Sequence, residues 1–123
     1  MKEETTSQEP GFAFWEERAR LLRTIAHPVR LAILESLCDG PRCVTDINAL
    51  IAIAQPHLSQ HIAALRNARL IACHVNGPLR CYYILKPTLV RSLIRLVSSD
   101  HSERQCVRET VIRQAQRRRE TTR

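Results

Sequence analysis

The apolar positions of this chain recur in blocks, and their period changes from block to block. In "FAFWEERARLLRTIA", Phe14, Ala19, Leu21, Leu22 and Ile25 return at helical intervals, which predicts a first helix over about 13–26. Pro28 then suits the first position of a second helix, where its missing N–H costs nothing. "PVRLAILESLCDG" turns Val29, Leu31, Ile33, Leu34 and Leu37 inward, and Gly40 stops it. Pro41 opens a short extended piece, "RCV". Thr45 or Asp46 can start a third helix reaching about Ala54, and Pro56 stands near the start of a fourth, "PHLSQHIAALRNAR". Leu58, Ile62 and Leu65 follow the i, i+4, i+7 pattern of a core-facing stripe. That arrangement leaves His57, Ser59, Gln60, His61 and Arg66 mostly outside.

The period then shortens. "LIACHV" and "RCYYIL" alternate as strands do, and the "NGPL" between them carries the Asn-Gly hairpin signal. A fifth helix follows Pro87, with Leu89, Val90, Leu93, Ile94 and Val97 along one side. "SSDHS" breaks that pattern. Asp100 with Glu103 could cap a further helix carrying Cys106, Val107, Val111 and Ile112, and the Arg-rich end from Arg117 is expected to fray.

Two helices, a short strand, a helix-turn-helix, a hairpin and a helix together outline a winged helix-turn-helix, a mostly α fold with a small β-hairpin wing. We divide the chain into a disordered acidic N-terminus (1–12), a DNA-binding and dimerisation domain (13–99), and a C-terminal helix with a basic tail (100–123). The 44% hydrophobic content suffices for one folded core. No apolar run reaches the ~20 residues of a membrane span, and "MKEETTSQEP" is unlike a signal peptide, so the expected location is the cytoplasm.

Charge sharpens the picture. The net charge is +7, but residues 1–17 carry −4, residues 18–100 carry +7 and residues 101–123 carry +4. Nearly all the cations are Arg, whose forked guanidinium matches phosphate oxygens. The fourth helix would be the one to enter a DNA major groove. Its exposed Gln and His can meet the base edges of adenine and guanine, while surrounding arginines hold phosphates.

The five cysteines (Cys38, Cys43, Cys73, Cys81 and Cys106) are odd in number and show no CxxC spacing, which argues against a closed disulfide framework or a zinc ribbon. Cys43 lies on the short strand, and Cys73 and Cys81 lie on the two hairpin strands. If residue 73 opposes 81, the two thiols are neighbours; if 74 opposes 81, the neighbour is His74. Cysteine also serves as a small core hydrophobe.

"LLRTIAHPVRLAILESLCDG", "RCVTDINALIAIAQPHLSQHIAALRNARLI" and "NGPLRCYYIL", taken in that order, resemble the arsenic-repressor (ArsR/SmtB) family over about residues 18–97. The resemblance implies a homodimeric winged-helix repressor that leaves its operator when an inducer binds. It places Gln55, His57, Ser59, Gln60 and His61 at operator-reading positions and Asn76 to Arg80 at the wing tip. The dimer interface it implies uses the apolar faces of the first and last helices, Phe14–Ile25 and Leu89–Val97. Arsenic-binding members often carry Cys-Val-Cys where this chain has "CVTD", so Cys43 matches and Thr45 replaces the second thiol. The last-helix zinc site of other members is not reproduced, because Pro87 and Leu89 fall where its first two ligands would be. Redox-responsive members use thiols in the second and last helices, where Cys38 and Cys106 lie about one turn displaced.

The resulting expectation is a repressor with no tightly bound cofactor, whose partners are double-stranded operator DNA and a second copy of itself. Its inducer is a thiophile such as arsenite or antimonite, held by Cys43 and Cys81 with Cys73 as third ligand. The alternative is persulfide or peroxide sensing through Cys38 and Cys106. An enzyme is disfavoured: no Gly-rich oxyanion loop and no third orienting residue accompany Cys81 and His74.

Overall fold

A computed structural model describes residues 9–101 and 107–121. The elements run α1 (Phe12–Ile25), α2 (Pro28–Leu37), β1 (Arg42–Cys43), α3 (Val44–Leu50), α4 (Gln55–Asn67), β2 (Ile71–Asn76), β3 (Leu79–Ile84), α5 (Pro87–Ser98) and α6 (Val107–Thr121). α2, α4 and α5 each have Pro in their first two positions, where no intrahelical N–H is lost. His27 caps α2, its Nδ1 accepting from the Val29 N–H at 3.1 Å.

The core is one cluster. α2 contributes Ile33, Leu34 and Leu37, α3 Ile47, α4 Leu58, Ile62 and Leu65, the wing Ile71 and Tyr82, α1 Ile25 and α5 Val90. The predicted stripe on α4 is the buried one, so its other side is free to face a partner. Ser36 is buried in α2, where its hydroxyl donates to the Ile33 carbonyl at 2.7 Å.

α3 ends at Leu50 rather than near Ala54. A helix continued through this stretch would drive the Pro56 ring into the Ala52 carbonyl. Ile51 is extended instead, and Ile51 and Ile53 pack half-buried against the core, which makes the bend of the helix-turn-helix.

α4 closes with a Schellman arrangement. The Leu70 N–H donates to the Leu65 carbonyl at 3.0 Å and the Arg69 N–H to the Arg66 carbonyl at 2.9 Å. Arg69 takes the left-handed position at φ 58, where glycine would be unstrained. Leu70, wholly buried, then starts the wing.

The wing is a three-stranded antiparallel sheet in the order β1-β3-β2. Asn76 pairs with Leu79, so the turn is Gly77-Pro78, with Gly77 at φ 62 in the first central position. Asn-Gly therefore does not supply the two central residues. Positive φ at the first of them followed by Pro suits the II′ class.

α6 is helical to Thr121, so the predicted fraying from Arg117 does not occur within it. The Thr121 hydroxyl ties back to the Arg117 carbonyl at 2.8 Å. Glu103 and Cys106 lie outside the described residues.

Candidate nucleic-acid interface and thiol row

With its Leu58–Ile62–Leu65 side sunk in the core, α4 presents Gln55, His57, Ser59 and Gln60 to solvent. Gln55 and Ser59, one turn apart, are joined by an Nε2–Oγ contact of 3.4 Å. These four side chains form a hydrogen-bonding face without Arg, Lys, Asp or Glu, of the kind that meets base edges. Arg66 is exposed near the other end of the helix. Asn76 and Arg80 stand exposed at the wing tip, beside the Gly77-Pro78 turn.

His61 does not join that face. It lies against α2, its ring centroid 4.3 Å from that of His27. Its Nδ1 accepts from Arg30 Nε at 3.2 Å, and Arg30 Nη1 donates to the Thr24 carbonyl at 3.0 Å. Arg30 therefore links the end of α1 to the middle of α4. An imidazole that accepts from a guanidinium must be neutral on that nitrogen. Burial, followed by the charges of His27, Arg30 and His57, holds the His61 pKa below its ordinary value. The helical spacing had put His61 outside. At i+4 from His57 it sits on the border of the buried stripe, where a polar side chain finds a partner on the neighbouring helix.

The wing fixes the register that places the cysteines. Cys43 pairs with Cys81 across β1 and β3, and His74 pairs with Cys81 across β2 and β3. Alternation puts Cys43, Cys81 and His74 in one row on one face of the sheet. Cys73 pairs with Tyr82, so it lies on the opposite face. That is the core face: Tyr82 is buried, and its hydroxyl pKa is raised by burial and then by Cys73. The expected role of Cys73 as third ligand beside Cys43 and Cys81 is thereby lost, because a one-residue change of register reverses faces. Among the described residues no three His, Cys, Asp or Glu side chains converge as a metal site. Cys43 and Cys81 are both half-buried free thiols. The Cys43 thiol donates to Asp46 Oδ2 at 3.0 Å.

Cys38 is of another kind. Its thiol donates to the Leu34 carbonyl at 3.4 Å within α2, and burial raises its pKa, with Arg91 opposing and Glu35 and Asp39 adding. A protonated, helix-bonded thiol is a poor nucleophile. Its suggested partner Cys106 lies outside the described residues.

The sequence profile of the bacterial regulatory proteins of the arsR family matches residues 27–72, from the cap of α2 into β2. An uncharacterised HTH-type transcriptional regulator of Methanocaldococcus jannaschii is 31% identical over 84 residues, which cover 68% of this chain and 93% of that protein. The chain belongs to the arsR family. A biofilm growth-associated repressor of Xylella fastidiosa is 38% identical over 60 residues, 49% of this chain. That match spans 53% of the Xylella protein, so the chain covers about half the length of that relative. The crystal structure of the transcriptional repressor BigR from Xylella fastidiosa superposes with a TM-score of 0.64 at 28% identity, covering 74% of this chain and 95% of that one. The relatives are transcriptional regulators, a DNA-binding and non-catalytic class. Arg30 and His27, which position α4 in this arsR-family chain, were not singled out from sequence. The signal available was a cap-forming His directly before the Pro that opens α2.

Proposed function

We propose that the chain is a homodimeric cytoplasmic repressor that holds operator DNA through α4 and the wing. In this reading it releases the operator when a thiophilic inducer joins Cys43 to Cys81. The DNA part rests on the exposed Gln55–His57–Ser59–Gln60 face of a helix whose opposite side is anchored in the core. The family of the chain supports it. Exposed Phe12, Trp15 and Leu22 on α1 and Leu89, Leu96 and Val97 on α5 support self-association, since a second copy would cover them.

The inducer part rests on the direct opposition of Cys43 and Cys81. Two thiols suit a bidentate acceptor. A monosubstituted arsenical carrying two hydroxyls would form two As–S bonds and release two waters, with no change of oxidation state. Arsenite or antimonite would keep one hydroxyl, or take a thiol from solution. Asp46 is placed to accept the Cys43 proton. Cys43 directly precedes α3, and Cys81 belongs to the wing, so joining them couples the inducer to both DNA-facing parts. A coupling of about 1–3 kcal/mol gives roughly 5–150-fold release. No resident cofactor enters the reading.

The test is fluorescence anisotropy on the duplex upstream of the encoding gene, with and without a monosubstituted arsenical. Release is expected for the parent and Cys73→Ser, and lost in Cys43→Ser and Cys81→Ser. Release that persists in both latter variants would refute the site. Release by a persulfide donor that depends on Cys38 would favour the redox alternative.

A further inference from the structure

α6 is not used by the site described above. It carries Arg108, Arg113, Arg117, Arg118 and Arg119 against Glu109 and Glu120, a net charge of +3 on fifteen residues. Its side chains from Arg108 to Thr121 are all exposed, Val111 and Ile112 included. Arg113 and Arg117 sit one turn apart on the same side, and Arg108 projects from another. Apart from Val111 and Ile112 its exposed surface is mostly polar and basic, so little of it gains from packing on its own domain. Its forked cations suit a ligand with closely repeated phosphates. BigR is matched over 95% of its length by only 74% of this chain, so about a quarter of this chain has no counterpart there.

We propose that α6 is a second, sequence-independent contact to the phosphate backbone of duplex DNA flanking the site held by α4. The inference rests on the DNA-binding reading above. Only five residues separate His101 from Val107, so α6 is tethered within about 20 Å of the end of α5. At about 1.5 Å per residue the helix is roughly 22 Å long, enough to follow half a turn of duplex. The duplex is the favoured polyanion because the same chain already presents a DNA-facing helix, and a contact beside it benefits from high effective concentration.

The test uses the full chain, its Arg108→Gln/Arg113→Gln/Arg117→Gln variant, and the corresponding triple Lys variant. Gln and Lys are both good helix formers, and circular dichroism checks that α6 persists. Anisotropy is measured on mixed-sequence duplexes of about 20 and about 40 base pairs over about 50–200 mM salt. Each phosphate contact contributes about 0.9 to the slope of log K against log salt. Loss of three contacts per chain, six per dimer, lowers the slope by about 5.4, so the parent should lose on the order of 1,000-fold more affinity than the Gln variant across that range. The Lys variant should keep the parent slope, and the advantage of the longer duplex should vanish only with Gln. A Gln variant with the parent slope on both duplexes overturns the inference while leaving the DNA-binding reading intact. A parent chain that binds neither duplex overturns both.

Discussion

Gln60 and His61 are neighbours on α4, yet the structure gives them opposite duties, and replacing each by Ala separates them. Gln60 is exposed and makes no contact that the fold needs. Its loss should leave stability within about 0.5 kcal/mol. On the preferred duplex it should cost about 1–3 kcal/mol, a roughly 5–150-fold weaker Kd, because a base-edge hydrogen bond goes with it. His61→Ala removes the acceptor for Arg30 Nε at 3.2 Å and the ring whose centroid lies 4.3 Å from that of His27, tilted by 41°. A hydrogen bond to a charged group is worth about 1.5–3 kcal/mol when buried. This one is only half-buried, and Arg30 keeps its bond to Thr24, so the low end applies. With the ring contact the loss should be about 1.5–2.5 kcal/mol, or roughly 5–15 °C in Tm for a domain of this size. Urea midpoints measure the stability, and anisotropy on the upstream duplex and a scrambled one measures the binding. Gln60→Ala should weaken the upstream duplex selectively. His61→Ala should lower the urea midpoint and weaken both duplexes by the same factor. If His61→Ala unfolds at the parent midpoint yet loses only upstream binding, the ring reads a base and the placement argued here is wrong.

Two further outcomes follow from local features. The His61 pKa is lowered in the folded chain, so the fold favours neutral imidazole; this contribution is present above the ordinary His pKa and is lost as pH falls through the folded value. The urea midpoint of the parent should therefore drop between about pH 7.5 and 5.5 more than that of His61→Ala, and equal drops would show that His61 is not the titrating group. Arg69→Gly relieves the left-handed position at φ 58 and should raise stability by about 0.5–1 kcal/mol, read as a higher Tm; a fall would mean that the Arg side chain contributes more than its backbone strain costs.

The fold was legible where one signal dominated. Pro28, Pro56 and Pro87 mark helix starts, and Leu58, Ile62 and Leu65 mark the buried side of α4, because each follows from local sterics or a single period. The candidate site was legible only in part. Gln55, His57, Ser59 and Gln60 are exposed as the spacing demands, but His61 sits at the edge of the stripe, and only the approach of α2 decides its direction. The partner of Cys81 depended on where the hairpin turns. "NGPL" allows two registers, and Gly77-Pro78 selects the one that puts His74 rather than Cys73 beside it. The end of α3 is not legible because Ile51 and Ile53 look helical as apolar residues, whereas Ile51 is extended and both pack against the core from the bend.

The pairing of β1 with β3 brings together residues from distant parts of the chain. Cys43 and Cys81 are separated by the whole helix-turn-helix and β2, and they meet only when α3, α4 and the wing are all in place. β2 and β3, by contrast, form a local hairpin that can assemble early. A nascent or partly unfolded chain offers its thiols singly, each with the weak grip of a lone sulfur. The two-handed grip exists only in the finished protein. An inducer that needs both thiols would therefore ignore immature copies and hold mature ones closed, so the molecule would begin to sense only once it is able to repress.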